Sequence, residues 1–100
     1  MSGGITNPRP ADAGVQSICL SMKSAVEKNR GENFGIFEAL SYKTKSDDGT
    51  TYYIEVFTGG DKYLEVEVFV KFTFGSGAVL TKVCEIIKTK EPELLNNAPT

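Results

Sequence analysis

The spacing of hydrophobic residues changes along the chain and predicts one helix followed by strands. Between Ala11 and Asn29, apolar residues recur at steps of three, one, three and four, which is the pattern of one face of an amphipathic helix. These residues are Val15, Ile18, Cys19, Met22 and Val26. The pattern predicts a helix from about residue 12 to residue 29, with Asp12 as its N-cap and the segment Asn29–Gly31 at its end.

After the helix, apolar and polar residues alternate with a period of two, which is typical of half-buried strands. The alternation is clearest between Lys62 and Phe72, where one face is apolar: Leu64, Val66, Val68 and Val70. Similar runs cover residues 34–45, 51–58 and 78–88. In the last run, the alternation predicts one face with Val79, Val83 and Ile87 and another with Leu80, Cys84 and Ile86.

Turn signals separate the four strand-like runs, so we expect antiparallel strands joined by short hairpins. The signals are Asp48-Gly49, Gly59-Gly60-Asp61 and Gly75-Ser76-Gly77. A sheet with one apolar face needs a cover, and the helix is the element that can supply it. The sequence therefore predicts an α+β fold with one helix lying across an antiparallel sheet.

Charge and hydropathy narrow the range of partners and compartments. The net charge of −2 and the pI near 5.1 argue against nucleic acid or a membrane surface as a partner, because both attract a basic face. No apolar stretch approaches the length of a membrane span, and the first ten residues lack the apolar segment of a secretory signal. We therefore expect a cytoplasmic protein in which Cys19 and Cys84 are reduced, buried thiols.

The residue types present argue against catalysis and against a cofactor or metal. The chain has no histidine, which excludes histidine-based nucleophilic catalysis, acid–base catalysis and metal ligation. Cys19 lies on the apolar stripe of the helix and Cys84 lies in a strand, so both are expected to pack in the core. The strand glutamates alternate with other residues as charges on a solvated face do: Glu38, Glu55, Glu65, Glu67 and Glu85. We therefore expect no enzymatic activity.

The segment around Asp47 and Asp48 has part of the spacing of an EF-hand calcium loop. Gly49 and Glu55 fit the sixth and twelfth positions of such a loop. The first position, however, is Thr44 instead of aspartate, and the flanking residues alternate as strands do. Calcium binding is therefore disfavoured, and a hairpin turn is the preferred interpretation.

Several short motifs also occur in a characteristic order. A glycine pair lies at residues 3–4, "RPA" at 9–11 leads into the helix, and "VQ" at 15–16 lies in its first turn. Further motifs follow in the strands: "YKT" at 42–44, "GT" with "YYI" and "V" at 49–56, "KY" at 62–63, "VF" at 68–69 and "VLT" at 79–81. Together they resemble the stefins, the type 1 cystatins, from about residue 3 to residue 94.

The resemblance implies a single cystatin-like domain over residues 1–100, with a four- to five-stranded antiparallel β-sheet wrapped around a single α-helix. Residues 1–10 are then expected to form a flexible arm, and residues 95–100 a loose tail.

The resemblance also implies a function. Stefins inhibit papain-like cysteine proteases reversibly and tightly by filling the active-site cleft with a glycine-containing arm and two hairpin tips. A cathepsin-type protease of this class is therefore the implied partner, with no cofactor. The implied protease-binding residues are Gly3, Gly4 and Ile5 in the arm; Lys45, Ser46, Asp47, Asp48 and Gly49 in the first tip; and Phe72, Thr73, Phe74 and Gly75 in the second tip.

The first tip departs from the family pattern, which is Gln-Val-Val-Ala-Gly. At the same length, this chain has Lys-Ser-Asp-Asp-Gly over residues 45–49. The two valines that contact the cleft become Ser46 and Asp47, which removes apolar burial, and aspartates are costly to desolvate. The second tip lacks the family's proline and is one residue shorter. We therefore expect inhibition to be weakened or redirected to a protease with a basic cleft rim.

Two alternative functions remain open. The chain could be a stefin-like scaffold, diverged or engineered, whose first hairpin binds a partner other than a protease. It could also be a non-inhibitory protein that self-associates as a domain-swapped dimer. Asp48-Gly49 suits a tight turn and would relax strain in the first hairpin, which favours a monomer.

Overall fold

A computed structural model, which describes residues 4–71 and 77–87, shows one five-stranded antiparallel sheet crossed by two helical segments. The elements are β1 (Arg9–Pro10), α1 (Ala13–Ser21), α2 (Lys23–Arg30), β2 (Glu38–Ser46), β3 (Thr50–Gly59), β4 (Lys62–Val70) and β5 (Ala78–Ile86). The strands lie in the sheet in their sequence order, and each is antiparallel to its neighbour. The predicted α+β fold is confirmed. Neither helical segment has the length and hydropathy of a membrane-spanning helix.

The predicted helix is present as two consecutive segments that meet at Met22. Asp12 is its N-cap, since its Oδ1 accepts a hydrogen bond of 2.8 Å from the Val15 N–H. The last turn of α1 is tightened, because the Met22 N–H donates to the Cys19 carbonyl oxygen only three residues back. The helix ends at Gly31, whose φ of 71° is left-handed.

The helices cover one face of the sheet, called here the inner face. α1 packs against β2, where Gln16 Oε1 accepts a 2.8 Å hydrogen bond from the Ala39 N–H. α2 lies against β5, where Arg30 and Glu85 approach to 3.6 Å. The core between the two layers consists of Val15, Cys19, Val26, Phe34, Phe37, Ala39, Ile54, Val56, Leu64, Val66 and Val68. The alternating apolar residues of β4 thus face the helices, as the sequence predicts.

One bulged residue, Thr81, reverses the predicted alternation in β5. The β4 residues Val66 and Val68 are two positions apart, yet they pair with Val83 and Leu80, which are three positions apart. Leu80 and Val83 therefore both pack against the core. A bulge moves every side chain beyond it to the other face. The predicted division of this strand, with Val79, Val83 and Ile87 opposed to Leu80, Cys84 and Ile86, is wrong.

Candidate functional site

The first tip, residues 45–49, contains a turn with two left-handed residues. Ser46 and Thr50 form the last pair of the β2–β3 hairpin, and the Asp47 N–H donates to the Gly49 carbonyl oxygen at 2.9 Å. The φ of Asp48 is 62° and that of Gly49 is 143°. Aspartate is one of the few residues besides glycine that adopt the left-handed region readily. Asp47 and Asp48 are exposed, so the apex of this hairpin is polar and acidic.

Gly49 is buried although it lies in the turn. A Cβ atom at this position would lie 2.6 Å from Phe69 Cζ and 2.7 Å from the Val70 carbonyl oxygen. Both distances are well inside van der Waals contact, so no side chain fits without a shift of the backbone. The first tip is therefore supported by the end of β4, the strand that leads toward the second tip.

The arm, residues 1–10, is held along the edge of β2 from Thr6 onward. The Thr6 N–H donates to the Thr44 carbonyl oxygen at 2.9 Å, and the Thr44 N–H donates to Thr6 Oγ1 at 3.1 Å. The Arg9 guanidinium lies over the Tyr42 ring, 5.1 Å from its centroid. The segment predicted as a flexible arm thus contains a short strand, β1, and an anchor at Thr6.

This anchor places the free part of the arm beside the first tip. Because β1 and β2 are antiparallel, the chain that runs back from Thr6 toward Ile5 and Gly4 moves in the same direction as β2 from Thr44 toward Ser46. Ile5 is 50% exposed and adds an apolar side chain near the acidic turn. The arm and the first tip therefore lie at one end of the sheet, called here the tip end.

The described residues include the first tip and part of the arm, but not the whole predicted site. Gly3 and the whole second tip, Phe72, Thr73, Phe74 and Gly75, lie outside the described residues. Val70 and Ala78, which flank the second hairpin, pair with each other, and Val70 also pairs with Thr50. The second hairpin therefore begins at the tip end. Within the described ranges, no group of cysteine and carboxylate side chains is arranged to hold a metal ion.

Two residues at the tip end were not predicted from the sequence. Thr6 gives no local signal, because its role depends on pairing with Thr44 in a distant strand. Phe69 does give a signal: it is an aromatic residue on the face of β4 that carries Glu65 and Glu67 before it and Lys71 after it, with Tyr63 at the far end of the strand. An apolar residue on a charged face indicates a contact that the strand itself does not supply.

The two cysteines are free thiols on opposite sides of the sheet, since Cys19 lies in α1 in the core against the inner face and Cys84 lies in β5 on the opposite, outer face. Cys19 is fully buried in the core, and this burial raises the pKa of its thiol to about 12. Cys84 pairs with Glu65 on the outer face and is only half-buried. The prediction of buried thiols therefore holds for Cys19 and is wrong for Cys84.

N-ethylmaleimide at pH 8 is expected to modify Cys84 and to leave Cys19 unmodified in the folded protein. The thiolate is the reacting species, and the raised pKa keeps the Cys19 thiol protonated at this pH. Intact-mass spectrometry checks this, with Cys84→Ser as the control that gains no adduct until urea unfolds it. Rapid modification of folded Cys84→Ser protein would contradict the prediction.

Comparison with known proteins identifies the family. A model of the cystatin domain matches residues 3–93. Cystatin-A1 of Sus scrofa is 34% identical over 94% of this chain and 91% of its own length. Leukocyte cysteine proteinase inhibitor 1 of the same species is 33% identical over 94% of this chain and 91% of its own length. Cystatin-B of Paralichthys olivaceus is 39% identical over 71% of this chain and 72% of its own length.

The chain therefore belongs to the cystatin family. Its relatives are A-type and B-type cystatins, which are stefins, so the resemblance predicted from the short motifs is confirmed.

Proposed function

We propose that this protein is a reversible inhibitor of papain-like cysteine proteases that fills the active-site cleft with its arm and its two hairpin tips. The observation that carries the proposal is the double hydrogen bond between Thr6 and Thr44, which holds the free arm beside the first tip. Family membership supports it, since one relative is named as a cysteine proteinase inhibitor. The arm and the first tip then act from one end of the sheet, where the second hairpin also begins.

The chemistry of the pieces indicates how this inhibitor differs from its family pattern. The arm offers Ile5 as an exposed apolar contact, whereas Asp47 and Asp48 give the first tip an acidic apex. A protease with a neutral, apolar cleft would have to desolvate these carboxylates without a partner. A basic cleft rim would pair with them and would steer association. We therefore propose a weakened affinity for ordinary papain-like proteases and a preference for a target with a basic rim.

Titration of a papain-like protease with wild-type protein and two matched isoleucine variants tests the proposal. Ile5→Ala removes a 50% exposed side chain from the arm, and Ile36→Ala removes a 47% exposed one near Gly59, at the opposite end of the sheet. We expect Ile5→Ala to raise the inhibition constant about tenfold, which corresponds to about 1.4 kcal/mol of lost apolar contact. Ile36→Ala is expected to leave it unchanged.

Two results would contradict this proposal. Equal effects of both isoleucine variants would show that the tip end does not bind the protease. The absence of inhibition at micromolar concentration, for proteases with neutral and with basic cleft rims, would favour the alternative of a partner other than a protease for the first hairpin.

A further inference from the structure

Phe69 lies at the centre of the tip end, on the outer face of the sheet. In the register it pairs with Thr51 on one side and with Val79 on the other. Val79 is 56% exposed, whereas Phe69 itself is half-buried. Part of its ring is therefore covered, and the turn of the first hairpin contributes to this cover because Gly49 lies against the ring.

The Phe69 ring occupies the place where a side chain of residue 49 would lie. An ideal Cβ atom on Gly49 would be 2.6 Å from the ring's Cζ and 2.8 Å from its Cε1. The pairing of β3 with β4 ends at Thr50, one residue after this glycine. The β3–β4 ladder therefore stops short of the turn, which the Ser46–Thr50 pair and the Asp47–Gly49 hydrogen bond close. On the β4 side, the turn lies against the Phe69 ring and the Val70 carbonyl oxygen.

We propose that Phe69 is a positioning residue of the protease-binding edge. Its ring packs into the space left by Gly49 and fixes the angle at which the first tip leaves the sheet. Because β4 ends at Val70, directly after Phe69, the same residue sets the first tip relative to the start of the second hairpin. A tip held in its bound orientation loses less conformational freedom on binding. The expected effect of Phe69 on inhibition rests on the proposed function, whereas its expected effect on the first tip of the free protein does not.

Three variants test the inference. Phe69→Ala removes the ring, Phe69→Leu keeps apolar bulk near Gly49, and Phe57→Ala is the matched control. Phe57 lies on the same outer face, but its ring packs on Tyr63, with centroids 5.3 Å apart, toward the opposite end of the sheet. The readouts are the amide NMR shifts and hydrogen exchange of residues 46–50 in the free protein, and the inhibition constant and dissociation rate with a papain-like protease.

We expect Phe69→Ala to shift the amide signals of residues 46–50, to speed their exchange at least tenfold and to raise the inhibition constant at least tenfold. Most of the change is expected in the dissociation rate. Phe57→Ala is expected to lower the melting temperature while the tip signals and inhibition stay within twofold of wild type. Phe69→Leu is expected to keep both the amide exchange of the tip and the inhibition constant close to their wild-type values.

The outcomes separate this inference from the proposed function. If Phe69→Ala changes the shifts and exchange rates of the tip amides no more than Phe57→Ala does, the inference is overturned, even if the wild-type protein inhibits the protease. If Phe69→Ala moves the tip amides of a protein that inhibits no protease, the positioning of the tip is supported and the proposed function fails. If the tip amides move but inhibition stays unchanged in a protein that does inhibit, Phe69 does not position the binding edge and the inference is overturned.

Discussion

Replacing residues 45–49 with Gln-Val-Val-Ala-Gly is expected to tighten inhibition of a papain-like protease with an apolar cleft about 10²–10⁴-fold. Each valine that becomes buried contributes about 1.5–3 kcal/mol, and every 1.4 kcal/mol is a tenfold change in affinity. The replacement also removes Asp47 and Asp48, whose carboxylates are exposed in the free protein and would have to be desolvated. Inhibition constants from progress curves measure the change.

The same replacement should act on stability in the opposite direction. Asp48 has a φ of 62°, and alanine there would adopt the left-handed region at a cost of about 1–2 kcal/mol. We therefore expect a lower melting temperature together with stronger inhibition. Ile36→Ala, at the opposite end of the sheet, is the control and should leave the inhibition constant unchanged. An unchanged inhibition constant in the full replacement would show that the first tip does not limit binding, and a gain for basic-rimmed targets would contradict the proposed preference.

Substituting Gly49 with alanine is expected to lower the free energy of unfolding by about 2–6 kcal/mol. The φ of 143° is unfavourable for any residue with a Cβ, and that atom would meet Phe69 Cζ at 2.6 Å and the Val70 carbonyl oxygen at 2.7 Å. Backbone strain of this kind and overpacking each cost about 1–3 kcal/mol. Urea denaturation monitored by circular dichroism gives the difference.

Gly35→Ala provides the matched control for this substitution. A Cβ at Gly35 would have no other atom within 4 Å, and its backbone is not left-handed. Its free energy of unfolding should stay within about 0.5 kcal/mol of wild type. If Gly49→Ala were no less stable than Gly35→Ala, the contacts with Phe69 and Val70 would not confine residue 49 in solution.

The sequence predicted those parts of the fold that depend on burial along a single element. The helical spacing indicates one buried face, with Val15, Cys19 and Val26. The alternation in β4 indicates another, with Leu64 and Val66. All five residues are buried in the structure. The break at Met22 left no trace in this pattern, because a single tightened turn barely rotates the stripe.

The bulge at Thr81 could not be predicted in the same way. A bulge is a relation between two strands, and the sequence of β5 alone continues its alternation through the extra residue. The faces assigned to that strand were therefore wrong even though the strand itself was correct.

The candidate site shows the same division between local and long-range information. Turn chemistry located Asp48 and Gly49 at the apex, because these residues tolerate left-handed backbone. The pairing of Thr6 with Thr44 joins residues 38 positions apart and follows only from the register of the folded sheet. The contact of Phe69 with Gly49 also needs the β3–β4 register before it can be seen.

The attachment of the arm to β2 has a thermodynamic consequence. Fixing the backbone of one residue costs about 1–2 kcal/mol in conformational entropy. Thr6–Pro10 lose this freedom when the protein folds, because the hydrogen bonds at Thr6 and the β1–β2 ladder already fix that segment. Pro8 and Pro10 restrict the same segment further, because the proline ring fixes φ and limits the residue before it. Only the residues before Thr6 then have to be ordered on encounter with a partner, so the attachment lowers the entropic cost of association relative to a fully detached arm.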